Sequence, residues 1–269
     1  MKMDSHDLHQ ETGAAWDQAA AIYERSQAED IEFLRSGGNS LLAPERRVLG
    51  DLSPWCGRAI HLQCAGGTDT LSLLAQGAQE VVGTDISPRM IGVARRKAEA
   101  LGAPATFHVC DTLDAPPELG GTADLVYTGR GALPWMMDLG AWARVVERLL
   151  TPGGKLYVFE GHPLDWVWDM GASEYRLDPV RGDYFSEALS DQRWPNPLLD
   201  RLDEGDGKRP RAQEHQWTLG DVLNAPVAAG LRLEYFEEHP DLYWGQFPYL
   251  PDDLARRLPH TFSLLMREA

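Results

Sequence analysis

The sequence predicts an α/β fold with a doubly wound, mostly parallel sheet of seven strands. From residue 58 onward, short apolar runs alternate with amphipathic stretches, and the connections between them are short. Five such strand–helix alternations are typical of a parallel sheet with helices on both faces. One further helix and two further strands near the end of the chain complete the sheet.

The elements follow from periodicity and from residues that begin or end helices. Residues 9–35 predict one or two helices, since Trp16, Ala20, Tyr23 and Phe33 recur on one face, and glycines 37 and 38 end them. Ser87 before Pro88 is a typical helix start. The strands are expected at 59–64, 81–84, 106–110, 124–127, 155–159, 231–237 and 261–266, and the later helices at 68–76, 88–101, 138–150 and 219–229.

Four segments are expected along the chain. Residues 1–57 form an N-terminal helical cap, 58–160 the core, 161–216 an insertion, and 217–269 the helix and strands that complete the sheet. The insertion is irregular and rich in aromatic residues, among them Trp194, which is typical of a lid or a substrate wall. A subdomain that only caps the sheet is the alternative.

Composition and charge limit the classes of partner. The chain is 43% hydrophobic, with 25 basic against 41 acidic residues and a formal net charge of −16. This charge argues against a protein that binds nucleic acid through its phosphates. The first residues lack a signal peptide's apolar segment, and no run of 18 apolar residues predicts a membrane span. Three cysteines without CxxC spacing indicate a reducing, cytoplasmic setting. No metal-binding motif is present, and we expect a monomer or homodimer.

The residues that follow the strands predict a nucleoside site. In an open parallel sheet, ligands bind beyond the carboxyl ends of the strands. The first strand runs into the small-residue turn Cys64-Ala-Gly-Gly-Thr, which lets backbone amides approach a ligand closely. Asp85 ends the second strand and is placed to accept hydrogen bonds from a ribose diol. Asp111 ends the third strand and is placed to accept from an exocyclic amine.

A nicotinamide dinucleotide site is the first alternative, because it also uses a glycine turn and a ribose acid. Such sites need G-x-G-x-x-G to accommodate a pyrophosphate. Here the turn reads Gln63-Cys-Ala-Gly-Gly-Thr, without glycines at that spacing. The sequence therefore favours a nucleoside ligand over a nicotinamide-dependent oxidoreductase.

Four further motifs lie at the strand ends and turns, namely His61-Leu-Gln-Cys, Val82-Gly-Thr-Asp-Ile-Ser-Pro, Asp111-Thr-Leu and Leu150-Thr-Pro-Gly-Gly-Lys-Leu. With these motifs, residues 58–160 resemble the class I S-adenosylmethionine-dependent methyltransferases, a Rossmann-like family. The resemblance implies S-adenosylmethionine as cofactor, with S-adenosylhomocysteine as product. The chain departs from the family where His61 replaces an acid and where Gln63 and Ala65 replace glycines. The residues that the resemblance assigns to the cofactor are Gln63, Cys64, Ala65, Gly67, Asp85, Ile86, Met90, Asp111, Thr112, Leu113, Thr128 and Gly129. Tyr23, on the N-terminal helix, is a further candidate that would close over the cofactor, with plain packing as the alternative.

The resemblance implies methyl transfer from S-adenosylmethionine. The acidity, the single catalytic domain and the aromatic insertion favour a small organic acceptor, methylated on an O or N atom, over nucleic acid or protein. This reaction depends chiefly on aligning donor and nucleophile, with a general base needed only for a protonated acceptor. Glu160, His162 and His215 are the candidate bases. Trp135, Trp166 and Trp168 are the candidate walls for the acceptor. A non-catalytic protein that binds S-adenosylmethionine for regulation is the second alternative. His6, His9, His239 and His260 are expected to be exposed or to lie in loops.

Overall fold

The computed structural model describes residues 4–186 and 211–268, and it contains one seven-stranded sheet. The strand order is β3-β2-β1-β4-β5-β7-β6. The first five strands are parallel to one another, whereas β7 is antiparallel to both β5 and β6. The predicted doubly wound, mostly parallel sheet is confirmed.

The bounds of the elements agree with most of the sequence-based ranges. The strands are β1 Arg58–Leu62, β2 Glu80–Asp85, β3 Ala105–Val109, β4 Ala123–Gly129, β5 Leu150–Gly161, β6 Leu231–His239 and β7 Thr261–Glu268. The helices are α1 Ser5–Arg35, α2 Ala43–Leu49, α3 Thr68–Ala75, α4 Pro88–Leu101, α5 Leu139–Leu149, α6 Leu219–Ala228 and α7 Asp252–Ala255.

Residues Ser5–Arg35 form a single helix, α1, rather than two. Asp4 caps α1, since its side chain accepts a hydrogen bond from the His6 amide. Ala20 on the predicted face is fully buried, but Phe33 is 43% exposed, so its assignment to that face was wrong. The helix packs mainly along α4, which places it over the carboxyl ends of the first strands.

One strand begins several residues earlier than predicted, and two helices were not predicted. Strand β5 begins at Leu150, whereas the sequence predicted a helix up to residue 150 and the strand only from residue 155. Leu150 pairs with Ala123 of β4 across a register irregularity, so tertiary pairing extends the strand through the proline and glycines. Helices α2 and α7 were not predicted, and both are short. Ser87 caps α4 as expected, accepting from the Met90 amide.

The core lies in two layers, one on each face of the sheet. Side chains alternate between the faces along each strand, so Ile60 and Leu62 contact the layer of α5 and α6, while Ala59 contacts the opposite layer. Strand β1 lies inside the sheet, between β2 and β4, and three of its five residues are apolar. Both features are typical of a parallel strand that is covered on both faces.

The described part of the insertion comprises residues 161–186 and 211–216. It begins with a 3-10 helix at Pro163–Val167. Residues 187–210, including Trp194, lie outside the described residues, so the lid and the four-segment division stay predictions. No helix in the described ranges combines the length and the apolar character needed to cross a membrane.

Candidate functional site

A cavity of about 330 Å³ lies at the carboxyl ends of β1 to β4. Its walls come from the segments that follow these strands and from one face of α1. His9, Thr12, Trp16 and Tyr23 line it from the helix, at spacings of three, four and seven residues. The N-terminal helix therefore covers a site that the sheet positions.

Backbone strain is concentrated in the turn after β1. Gln63 and Ala65 have positive φ angles of 57° and 45°, in the left-handed region that glycine adopts without strain. Gly67 follows at φ 76°, and a Cβ there would lie 2.6 Å from the Cβ of Ala94. The chain thus keeps a glycine-type backbone at two positions where it lacks glycine. Such strain is typical of binding sites.

A buried ammonium group holds this turn in place. Lys97 of α4 is fully buried, and its Nζ donates to the Gly66 carbonyl at 3.0 Å and the Thr68 hydroxyl at 2.8 Å, and lies 2.6 Å from the Asp30 carboxylate. All three N–H donors have acceptors, which a buried ammonium requires. Lys97 therefore ties α1, the turn and α3 together.

Asp85 lies at the floor of the cavity, at the end of β2. Its carboxylate accepts from the amides of Ala65 and Ser87, each at 2.9 Å. Burial raises the pKa of Asp85 to about 6, and these amides oppose the rise because they stabilise the ionised form. Each carboxylate oxygen keeps a second lone pair, so the group is able to accept further hydrogen bonds.

Asp111, at the end of β3, is paired with a histidine that sequence reasoning missed. His9 was expected to be exposed or in a loop, but it is 5% exposed and its Nδ1 lies 2.7 Å from Asp111. The Met137 amide donates to Nε2 at 3.1 Å, so the ring proton is on Nδ1, which donates to Asp111. Burial raises the pKa of Asp111, but the hydrogen bonds from His9 and from the Leu113 amide lower it by more, so the net pKa lies below the ordinary value. His9 and Asp111 are 102 positions apart, so no local sequence pattern could indicate that they pair.

His61 lines the cavity and is also buried. Its Nδ1 lies 2.8 Å from the Thr70 hydroxyl, and its ring meets Tyr127 edge to face at 4.6 Å. Burial lowers the pKa of His61 to about 4, so the ring is neutral near pH 7. A neutral, hydrogen-bonded ring is consistent with a structural role for His61.

Arg130 is a second cavity residue that the sequence analysis did not assign. It follows β4 with a positive φ of 59°, and its guanidinium contacts Glu45 at 2.6 Å and Asp69 at 3.0 Å. Glu45 is fully buried and also accepts from the Tyr127 hydroxyl. The glycines on either side of Arg130 were the available signal, since they permit the tight turn that returns its side chain to the sheet.

The structure does not bring the predicted bases to the cavity. Glu160 is buried and accepts from the amides of residues 131, 132, 133 and 161, which occupies its lone pairs and shapes the turn after β4. His162 accepts from the Leu164 amide on Nδ1 and donates from Nε2 to Glu238 at 2.9 Å, so it has no free lone pair. His215 stacks on Trp217 with ring centroids 3.6 Å apart.

Among the other assigned residues, most line the cavity. All the predicted cofactor residues do so except Leu113, which packs against the core, and Thr128, which is fully buried. Trp135 lines the cavity, where it meets Trp16 edge to face at 5.5 Å. Trp166 and Trp168 do not, and Trp168 packs on Tyr175. His239 is buried at the end of β6, contrary to expectation, whereas His260 lies in a loop as expected, although it is buried there.

Part of the chain that lines this cavity is similar to known proteins. Residues 59–154 match a family model described as a methyltransferase domain. The match covers 96 of the 269 residues, and over this range the chain is similar to methyltransferases.

Two curated relatives match this methyltransferase domain over part of their length. Demethylmenaquinone methyltransferase of Thermus thermophilus is 39% identical over 108 residues, covering 38% of this chain and 47% of that protein. A ubiquinone biosynthesis O-methyltransferase of Rhizobium rhizogenes is 31% identical over 101 residues, covering 38% and 40%. The match thus spans about half or less of the length of these relatives.

A solved structure extends the likeness in fold to most of the chain. An S-adenosylmethionine-dependent methyltransferase from Mesorhizobium loti superposes with a TM-score of 0.59 at 24% identity, covering 84% of this chain and 96% of that one. At this identity, the comparison establishes the shared fold of the methyltransferase domain and its flanking elements.

Two features of the cavity fit S-adenosylmethionine. The Oε1 of Gln63 is buried and has no hydrogen-bond partner among the described residues, while Nε2 donates to the Ala132 carbonyl at 2.8 Å. An ammonium group in the cavity would supply the missing donor. A Cβ on Gly66 would lie 3.0 Å from the Tyr23 ring, so the glycine leaves room between turn and helix. Within the described ranges, no cluster of His, Cys, Asp or Glu is arranged to hold a metal ion.

Proposed function

We propose that this protein transfers a methyl group from S-adenosylmethionine to an O or N atom of a small organic acceptor. The observation that carries the proposal is the meeting of Asp85, Asp111 and the strained turn around one cavity. Three separate strands contribute these groups, and together they match the ribose, the adenine amine and the methionine part of one ligand. The two quinone-pathway methyltransferases among the relatives support an acceptor of small size.

Asp85 and Asp111 would hold the adenosine part of the cofactor. Asp85 accepts from the ribose diol with its remaining lone pairs, and Asp111 accepts from the adenine amine. His9 holds Asp111 in its orientation, because the Met137 amide fixes the histidine proton on the nitrogen that faces the carboxylate. Ile86 and Met90 supply the apolar contacts for the adenine ring.

The turn from Gln63 to Gly67 would hold the methionine part. Gln63 accepts from the ammonium group, which satisfies its buried oxygen. Arg130 contributes positive charge at the same wall, although Glu45 and Asp69 neutralise much of it. Lys97 keeps the turn in position through the Gly66 carbonyl.

The bound sulfonium supplies a methyl group already activated for in-line displacement. The protein has to align the acceptor and exclude water, which is worth several kcal/mol of the barrier. Trp16 and Trp135 form an apolar wall at the β4 side of the cavity. The helix α1 covers part of the site, which favours a small acceptor over a folded macromolecule.

Calorimetric titration tests this proposal directly. S-adenosylmethionine and S-adenosylhomocysteine are expected to bind with micromolar affinity, and NAD is expected not to bind. Asp85→Ala should weaken binding by about 1.5–3 kcal/mol, roughly tenfold or more, through the lost charge-assisted hydrogen bonds. Asp114→Ala is the matched control, since Asp114 is 69% exposed and does not line the cavity. Binding of NAD instead, or equal effects of the two substitutions, contradicts the proposal.

A panel of small amines, phenols and carboxylates with labelled S-adenosylmethionine tests the transfer itself. Labelled product should form with at least one class of acceptor and should require Asp85. Cofactor binding without turnover on any class would instead favour a non-catalytic protein that senses S-adenosylmethionine.

A further inference from the structure

One carboxylate in the cavity wall keeps an oxygen without a partner. Asp69 lies in the first turn of α3 and lines the cavity, with 26% of its side chain exposed. Its Oδ1 accepts hydrogen bonds from the Ser40 hydroxyl and the Arg130 guanidinium. Its Oδ2 has no hydrogen-bond or ion-pair partner among the described residues. Asp69 is therefore fixed through one oxygen and able to accept from a ligand through the other.

Gln63 supplies a second acceptor at the same end of the cavity. Its buried Oε1 has no partner among the described residues, while Nε2 donates to the Ala132 carbonyl at 2.8 Å. Arg130, which holds Asp69, precedes Ala132 by two residues in the turn after β4. Both acceptors are thus attached to one short turn, and both side chains line the cavity beside it.

The cationic side chains at this end are engaged by the protein itself. Arg130 is the only lysine or arginine among the described residues that line the cavity. Its Nε and one Nη donate to Glu45, that Nη also donates to the Ser40 carbonyl, and the other Nη donates to Asp69. Lys97, behind the turn after β1, has acceptors for all three of its N–H groups. A ligand carboxylate would therefore meet positive charge that the protein's own acids already neutralise.

The charge of this end instead suits an ammonium group. Asp69 opposes the positive end of the α3 dipole, because it lies in the first turn of that helix. His61 bonds to Thr70 next to Asp69, and burial lowers its pKa to about 4, so it adds no positive charge near pH 7. An ammonium group has three donors and gains a charge-assisted hydrogen bond from a carboxylate, whereas a carboxylate would face two acceptor oxygens.

We propose, building on the methyltransferase function above, that Asp69 and Gln63 bind the ammonium group of the cofactor, and that this group, not the carboxylate, determines the affinity of its amino-acid end. Arg130 is the positioning residue, since it holds Oδ1 of Asp69 and leaves Oδ2 to the ligand. The cavity then binds a wider class of ligand, namely adenosyl thioethers that carry an amine and lack a carboxylate.

Two analogues of S-adenosylhomocysteine separate the two groups. Aminopropyl thioadenosine, the decarboxylated form, keeps the amine, and carboxypropyl thioadenosine, the deaminated form, keeps the acid. In calorimetry, the amine should bind at least about tenfold more tightly than the acid. Asp69→Asn should abolish this preference, and Asp114→Asn should keep it, because Asp114 is 69% exposed and does not line the cavity. Equal binding of the analogues to the unsubstituted protein, or an unchanged preference in Asp69→Asn, overturns the proposal.

Methylthioadenosine, which lacks both groups, separates ligand binding by Asp69 from a structural role. Its affinity should change by less than about twofold in Asp69→Asn, because it reaches only the residues that bind adenosine. A loss as large as that of the amine would make Asp69 a structural residue and overturn the proposal.

Asp85→Asn separates the pocket from the general negative charge of the cavity. It should weaken both analogues alike and keep the preference for the amine, because Asp85 lies at the end of β2 and not at the turn after β4. Loss of the preference in Asp85→Asn as well would show that the shared field of the acids selects the amine, and it too would overturn the proposal.

A second measurement needs no substitution and remains decisive if Asp69→Asn does not fold. Aminopropyl thioadenosine should bind within about threefold of S-adenosylhomocysteine, and at least about tenfold more tightly than methylthioadenosine. An amine that binds no more tightly than methylthioadenosine, or tenfold more weakly than S-adenosylhomocysteine, contradicts the proposal.

The two proposals fail in different ways. Absence of S-adenosylhomocysteine binding would contradict the methyltransferase function itself. Normal S-adenosylhomocysteine binding that depends on the carboxylate instead of the amine would contradict only the role of Asp69 and Gln63.

Discussion

The strain at Ala65 gives a stability prediction that a matched pair of variants isolates. Ala65 has a φ of 45°, where an L-residue costs about 1–2 kcal/mol relative to glycine. Ala65→Gly removes this strain and adds the greater conformational freedom of glycine in the unfolded chain. Ala100 lies exposed in the helix α4 and has no such strain. Ala100→Gly therefore carries the same unfolded-state cost without the compensating gain.

Since the unfolded-state cost is common to both variants, it cancels in their difference. Ala65→Gly should exceed Ala100→Gly in free energy of unfolding by about 1–2 kcal/mol. Urea denaturation followed by tryptophan fluorescence measures the difference from the two midpoints. S-adenosylhomocysteine binding by Ala65→Gly is the control, because the amide that donates to Asp85 is retained. Equal destabilisation by the two substitutions would refute the assignment of backbone strain to this turn.

Three further outcomes follow from the structure. Calorimetry should show that S-adenosylhomocysteine binding weakens by up to tenfold per pH unit as the pH falls below about 6. The reason is that the carboxyl of Asp85 becomes protonated and loses acceptor capacity. The Asp85→Asn variant should bind weakly at every pH, without this dependence. Lys97→Met should lower the free energy of unfolding by about 1.5–3 kcal/mol, measured in urea, since it leaves the Gly66 carbonyl and Asp30 without their charged donor. His162→Asn should reduce thermal stability but leave S-adenosylhomocysteine affinity within about twofold, and a larger loss of affinity would place His162 in the site after all.

The cofactor side of the site was largely predictable from local sequence. A residue that directly follows a parallel strand must lie at the carboxyl edge of the sheet, whatever the rest of the fold does. Asp85, Asp111 and the turn from Gln63 to Gly67 are all of this kind, and the structure brings all of them to one cavity. Their assignment to S-adenosylmethionine remains the proposal that calorimetry tests.

The positions of the candidate bases were not predictable in the same way. His162 follows β5, yet its ring turns to Glu238 of β6 and to its own backbone. The carboxylate of Glu160 already accepts hydrogen bonds from four backbone amides around the turn after β4, so it has no acceptor capacity left for a substrate. Position after a strand indicates which edge a residue occupies, but the packing of neighbouring elements decides where its side chain goes.

The sequence by itself determined the fold class, the order of most strands and helices, and the acids at the ends of β2 and β3, because periodicity and turn residues act over a few positions. Only the tertiary structure decided the contacts that join distant segments. His9 meets Asp111 across 102 residues, and the Lys97 ammonium joins α4 to Asp30 of α1. Such pairs depend on how α1 packs over the sheet. A buried charged or polar group needs a partner, but the residues next to it in the sequence do not indicate which distant residue that partner is.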